Sequence, residues 1–387
     1  MKKQQGVMSI GIRLPIIKEG DNLKKIIVDR VLDAVWDGER WDTIDDLTQK
    51  YGFRTEHVDI YDLNDRDVIG ITESIVARAM GNYVTVDEIA EEIRTRFGEH
   101  DEIIVINPIY SRNRFSMILK AIARASNKYV KIIMPDHDEV GNPSGVNRFT
   151  GVNIEEYYKQ IVKSERRIPN IVKTSYLDQY NFWVVNDEKK LNIYCGLHDY
   201  EEVKDKYGDK NFITLADICS GKCEYGLLGS NKATEEKLKL FPNAAQTTQL
   251  VYDIQKTILK KTGKTVEVMV YGDGCFKDPV GGIWEFADPV VSPAFTEGLI
   301  GTPNEIKIKA FADDKYGDLN GHKLMKAIKE EIVTKDTNLI GNMASQGTTP
   351  RRYVDLLGSL MDLTSGSGDK GCPVVLVKNY FKSYADD

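Results

Sequence analysis

The sequence predicts an α+β protein, built from mixed sheets with helices and interrupted by an inserted α/β block. Strand-like and helix-like segments alternate along the chain with no internal repeat. The stretch from 101 to about 195 reads as a distinct unit in which strands flank a helix. A length of 387 residues exceeds one ordinary core, so two domains, or one domain with a large insertion, is the expected organisation. The expected division is an N-terminal part of the core at 1–100, the inserted block at 101–195, and a C-terminal part of the core at 196–387.

The chain opens with an extended segment, Ile10 to Ile17, around Pro15. An apolar-periodic helix follows with Leu23, Ile26, Ile27, Val31 and Leu32, and Asp21 or Asn22 is placed to cap it. Trp36 and Trp41 read as packing anchors in a polar insert. Asp67 to Ile71 forms a buried strand that runs through Thr72-Glu73-Ser74 into a short helix stopped by Gly81. Strand, polar turn and helix make a geometry that receives phosphate.

Within the block, Glu102–Ile106 and Val130–Met134 are strands on either side of a helix from about Phe115 to Ala125. Asp136-His137-Asp138 after the second strand could ligate a metal, although a polar turn is the commoner reason for such a trio. Ser111-Arg112-Asn113-Arg114 either meets an anion or is a solvated helix entry. Further on come a glycine-bearing stretch, Tyr225 to Asn231, and a helix from about Gln246 to Lys261 stopped by Gly263. A second helix from about Tyr353 to Leu363, a Ser-Gly loop and a final strand, Val374 to Val377, complete the chain.

The chemistry concentrates late in the sequence. Strand Val266–Val270 runs into Tyr271-Gly272-Asp273-Gly274, and a second expected strand, Ile306 to Phe311, ends in Ala312-Asp313-Asp314. Carboxylates at strand tips supply the hard oxygen ligands that Mg²⁺ or Mn²⁺ requires. Alternation along a strand sends Asp313 and Asp314 to opposite faces, so only one of them is expected on the metal. The loop Ser365 to Gly371 either forms an anion-binding nest of backbone N–H groups or is a plain connector. Tyr271 and Trp284 read as packing residues that could also stack on a flat ring.

A formal net charge of −7 argues against a nucleic-acid reader, which needs concentrated Lys and Arg. No apolar run approaches the roughly 20 residues of a membrane span, and Met1-Lys2-Lys3-Gln4-Gln5 lacks the apolar core of a signal peptide. A cytoplasmic location is the expectation. Five scattered cysteines suit reduced thiols. Cys219 and Cys223 lie close together but are two ligands short of a zinc site, and Lys222 between them reads as solvated.

Several of these segments occur in one order: Leu14-Pro15-Ile16-Ile17 to Leu23, Val68 to Gly81, Gly226 to Asn231, the tip at Asp273, Ala312-Asp313-Asp314, and the Gly-Asp-x-Gly loop before Pro373. In that order the chain resembles the coenzyme F-420 γ-glutamyl ligases. The resemblance implies a GTP- or ATP-dependent ligase that uses Mg²⁺ or Mn²⁺. Its expected reaction joins L-glutamate to a carboxylate-bearing coenzyme, an F-420 precursor or a folate-like acceptor, through an acyl-phosphate. It also implies a homodimer of α+β fold.

Carried over by position, the resemblance puts Thr72, Ser74 and Arg78 at the phosphates, with Ser230, Asn231, Gly366 and Gly368 completing the nucleotide site. Asp273, Asp313 and Asp314 fall at metal positions, and Arg78 and Asp273 at catalytic ones. Where relatives show Lys, this chain has Arg78, which keeps the charge but alters its hydrogen-bond geometry. A signature ending in Ser230-Asn231 has its Asn at Glu224 and its Asp at Leu228. Leucine cannot ligate a cation, so Glu224 or another carboxylate is expected to substitute. Failing that, the chain is a coenzyme- or nucleotide-binding protein without turnover. A metal-dependent phosphohydrolase on the same acidic tips is a third possibility.

Overall fold

The computed structural model describes residues 6–36, 61–107, 113–137, 145–146, 151–175, 184–196, 205–208, 211–273, 290–342, 345–347, 351–366 and 369–386. Among these residues the strands form three sheets, and helices pack against them in an α+β arrangement. Trp41, Arg112, Asp138, Trp284 and Gly368 lie outside the described residues.

The first sheet has the order β1 (Met8–Ile12), β13 (Val374–Lys378), β2 (Val68–Thr72), β11 (Glu267–Asp273), β12 (Val290–Phe295). It is mixed: β13 runs antiparallel to β1 and β2, β2 and β11 are parallel, and β12 turns back against β11. Helices α1 (Leu23–Val35) and α6 (Ala244–Thr262) bury Ile27, Val31, Val251 and Ile254 with Ile69, Ile71, Val268 and Val270 in one core. The opposite face of the sheet packs through Met269 and Val375 on α8 (Tyr353–Ser365), whose Leu357 and Met361 are fully buried.

Local signals place these helices. Asn22 caps α1 by accepting from the Lys25 N–H at 3.1 Å. Gly81 ends α2 (Glu73–Met80) at φ 69° and Gly263 ends α6 at φ 72°, left-handed positions where a Cβ is costly. Trp36 packs edge-on against Tyr61 with centroids 5.4 Å apart, in keeping with a packing anchor.

The second large sheet is wholly parallel, in the order β6 (Ile168–Thr174), β5 (Tyr129–Pro135), β4 (Glu102–Ile106), β7 (Lys190–Tyr194), β8 (Phe212–Thr214). The chain starts at central β4, winds out through β5 and β6, then returns to β7 and β8 on the other side, which is doubly wound topology. The fifth strand lies beyond the boundary at 195 that the sequence suggested. Helices α3 (Val86–Phe97), α4 (Asn113–Ala125) and α5 (Ile154–Ser164) share a core with one face, through Ile89, Ile118, Tyr158, Val105 and Ile132. On the other face Ile104, Ile106 and Ile133 pack with Tyr194, Tyr207 and Phe212.

A small antiparallel sheet, β3 (Tyr83–Thr85), β10 (Lys237–Leu240) and β9 (Ser230–Lys232), connects the two regions. The segment expected as a strand from Ile306 to Phe311 folds otherwise. Ile306 makes one isolated bridge to Gln346, and residues Ile308 to Lys315 are helical. Phe311 and Ala312 pack beside Ile328 and Ile332 of α7 (Gly321–Thr334). This tertiary contact overrides the two-residue alternation of the sequence.

Candidate active site

In the first sheet, Thr72 at the end of β2 pairs with Tyr271 of parallel β11, so the two chains leave the sheet side by side. Crevices at the carboxyl ends of parallel strands are where such sheets bind ligands. A one-residue register shift between Val270 and Gly272, against β12, marks the same place. Bulges of this kind re-aim backbone next to active sites.

A cleft of about 850 Å³ opens here. Its floor is Thr72, Glu73, Ser74 and Ile75 at the start of α2, with Tyr271 and Gly272. One wall is the extended segment Leu14 to Ile17, and another is Asn231, Lys232 and Lys239 from the small sheet. Asp362, Ser365, Gly366 and Gly371 to Pro373 close the third side. Thr72 occupies the cap position of α2 but makes no capping bond through its side chain. The first-turn N–H groups are therefore not taken by Thr72, and they carry the positive end of the helix dipole.

Hydrogen bonds between separate segments set the cleft's shape. Glu73 is buried and accepts from the Asn231 amide nitrogen at 3.2 Å. A Cβ on Gly272 would lie 2.4 Å from Glu73 Cγ, so glycine is required for that carboxylate to lie against the strand. The Lys239 ammonium donates to Ser74 Oγ. Arg78 Nε donates to the Ile17 carbonyl at 3.1 Å, fixing the first wall. Tyr271 is fully buried, its hydroxyl 3.3 Å from the Met361 carbonyl, and burial pushes its phenol well above the usual range.

A family model described as F420-0:Gamma-glutamyl ligase matches residues 11–379. The chain belongs to that family. Ligation is therefore its class of reaction, with glutamate and a coenzyme as substrates. No match was found among curated proteins. Among the described residues no helix is long and apolar enough to cross a membrane.

In this γ-glutamyl ligase the expected site residues divide. Thr72, Ser74, Arg78, Asn231 and Gly366 line the one cleft, from three separate stretches of chain. Asp273 directly follows Gly272 in β11. Ser230 is buried at the start of β9 and donates to the Leu227 carbonyl at 2.7 Å, which places it behind Asn231 rather than in the lining. Gly366 ends α8 at φ 58°, its N–H bonded to the Asp362 carbonyl.

Asp313 and Asp314 sit exposed on the helical turn beside α7, not at a strand tip, and neither lines the cleft. Glu224 accepts from the Ala244 N–H at 2.6 Å, capping α6, and it too is absent from the lining. Leu228 is 2% exposed within the core beside the parallel sheet.

Other sequence candidates have ordinary surroundings. Lys222 pairs with Glu88 at 2.6 Å on the surface. Cys219 and Cys223 are buried free thiols whose acidity burial suppresses. His137 bonds the neighbouring Asp136 at 2.8 Å, and among the described residues no group of three or more His, Cys, Asp or Glu is arranged to hold a metal.

Sequence reasoning did not select Glu73 or Lys239. A signal existed for each. Glu73 stands between two residues that were chosen, and Lys237-Leu238-Lys239-Leu240 alternates as a strand with one buried face.

Proposed function

We propose that the cleft binds a nucleoside triphosphate with a divalent cation and activates the coenzyme's carboxylate as an acyl-phosphate for attack by glutamate. The observation that carries this reading is the convergence of Thr72, Ser74, Arg78, Asn231 and Gly366 on one cleft at the first turn of α2. Backbone N–H groups at such a turn suit phosphate.

In the first step an oxygen of the acceptor carboxylate attacks the γ-phosphorus, and the nucleoside diphosphate leaves with the bonding electron pair. The glutamate amine then attacks the acyl carbon, the C–O bond to phosphate breaks, and the nitrogen loses a proton to water as the γ-amide forms. No protein nucleophile is needed. The protein aligns the reactants, excludes water and offsets phosphate charge. Leu14, Ile17 and Ile75 give the cleft an apolar flank that limits water at the acyl-phosphate.

A nucleotide-bound Mg²⁺ keeps several waters and takes only one or two protein carboxylates. Glu73, a buried carboxylate in the lining, fits that mode, and Asp273 beyond Gly272 is the second candidate. Such an ion, when bound, offsets charge on the phosphates. We assign it to Glu73 and Asp273 rather than to Asp313, Asp314 or Glu224. An F-420 precursor or a folate-like compound is the proposed acceptor, and a homodimer the proposed assembly.

The test is thermal melting with GTP or ATP and Mg²⁺ or Mn²⁺, followed by phosphate release with glutamate and a panel of coenzymes. A raised melting temperature and glutamate-dependent phosphate release are expected, since any ligand selective for the native state stabilises it. No shift with any pair of nucleotide and metal overturns the reading. Leu228, which stands where the resemblance has an Asp and cannot ligate a cation, favours one alternative, a binding protein without turnover, which would show the shift but release no phosphate. Phosphate release without glutamate would instead identify a phosphohydrolase.

A further inference from the structure

Among the described residues that line the cleft are three cations, and they are held differently. Arg78 is tied through Nε to the Ile17 carbonyl. Lys232 pairs with Glu235 at 2.5 Å, on the β9–β10 turn. Lys239 alone of the three bonds the first turn of α2, through Ser74 Oγ.

Strand geometry explains how it arrives there. Leu238 and Leu240 are 0% and 2% exposed, so alternation turns Lys239 to the opposite face of β10. It stands directly across from Asn231 of β9, which reaches Glu73 in the same helical turn. The small sheet thus presents a cation and an amide as neighbours on one side of the cleft.

Electrostatics makes the placement informative. A helix N-terminus carries partial positive charge and disfavours a nearby ammonium. Glu73 in the first turn supplies local counter-charge, and an anion bound at the turn would convert the remaining repulsion into attraction to both groups.

Resting on the nucleotide reading above, we propose that Lys239 is the residue that neutralises the nucleotide's phosphates in this cleft. It contacts phosphate oxygens directly beside the α2 N–H groups. Arg78 is a positioning residue that holds the Leu14–Ile17 wall.

The test compares Lys239→Met, Lys239→Arg and Arg78→Met with the unaltered protein by calorimetric titration. The probes are GTP and ATP, each with Mg²⁺, and the matching nucleosides without phosphate. Loss of a charge-assisted bond predicts that Lys239→Met weakens triphosphate binding by about 10- to 100-fold while leaving the nucleoside unaffected. Lys239→Arg is expected to restore most of the affinity. Arg78→Met should weaken nucleoside and triphosphate alike.

Triphosphate binding by Lys239→Met equal to that of the unaltered protein overturns the proposal. Equal loss of nucleoside and triphosphate in that variant also overturns it. Failure of the unaltered protein to bind any nucleotide is a different result, because it removes the nucleotide reading itself and this inference with it. Should Lys239→Met melt in the absence of ligand, Lys239→Gln serves instead. It removes the charge but keeps a donor for Ser74 Oγ, so a loss of about 10-fold confined to the triphosphate is expected, and no loss overturns the proposal.

Discussion

The two five-stranded sheets differ in what their edges do. The parallel sheet spends its sequence on burial: central Glu102–Ile106 is a nearly continuous apolar run, with Ile103 and Val105 facing one core and Ile104 and Ile106 the other. The mixed sheet is buried on both faces as well, yet β2 and β11 leave it through Thr72-Glu73 and Gly272-Asp273, and the cleft forms there. Among the described residues, none that lines the cleft lies on a strand of the parallel sheet. Sheet burial provides stability, while the chemistry depends on how strand ends meet a helix terminus.

The largest expected effect comes from filling the space between those strand ends. Gly272→Val would drive a Cβ into Glu73, 2.4 Å from its Cγ, and displace the carboxylate from the cleft. Ligation is expected to fall roughly 100-fold or more, the scale of an ångström-level misplacement, with a lowered melting temperature. Near-normal turnover would show that Glu73 has no part in the site.

Ile132→Ala addresses the other side of the contrast. Ile132 is fully buried under the helices of the parallel sheet, so the loss should be about 2–5 kcal/mol of stability, read by urea denaturation. The KM of the protein that remains folded should be unchanged. A raised KM would mean that the parallel sheet shapes the cleft directly.

A smaller effect is expected from Arg124→Ala. Arg124 makes two bonds of 2.9 Å to Glu165 and one of 2.8 Å to Asp87, joining α4 to α3 and to the end of α5. Its side chain is about one-quarter exposed, which leaves roughly 1 kcal/mol after solvent screening. Melting should drop without any change in the nucleotide-induced shift.

The smallest effect is the pH dependence of the α3 cap. Glu88 closes a capping box with Thr85 and pairs with Lys222, and the Lys222 bond chiefly holds its carboxyl down at about 2. A depressed carboxylate contributes above its unfolded value and loses that contribution as pH falls through the folded one. The melting-temperature gap between the unaltered protein and Glu88→Gln should therefore be constant near neutrality and narrow between the ordinary carboxylate range and pH 2. Half-exposure keeps the gap small.

Much of this molecule could be read from local chemistry. Asn22, Gly81 and Gly263 mark helix ends because capping and left-handed backbone depend on a few adjacent atoms. The Thr72-Glu73-Ser74 turn was legible for the same reason. β8 was not, because Phe212–Thr214 is too short for a period to show. The Asp313-Asp314 tip was misread because alternation in Ile306-Lys307-Ile308-Lys309 looks like a strand until α7 packs against Phe311 and Ala312. Glu224 was expected among the metal ligands, whereas the structure gives it to the N-terminus of α6.

Sequence alone determined the α+β class, the helix ends and membership in the ligase order of segments, because each follows from neighbouring residues or from their succession along the chain. Only the tertiary structure decided which polar groups share a cleft. Lys239 and Ser74 are 165 positions apart in the chain, and Asn231 and Glu73 are 158 apart. No local pattern encodes such a meeting, since it depends on how the small sheet docks against the carboxyl ends of β2 and β11.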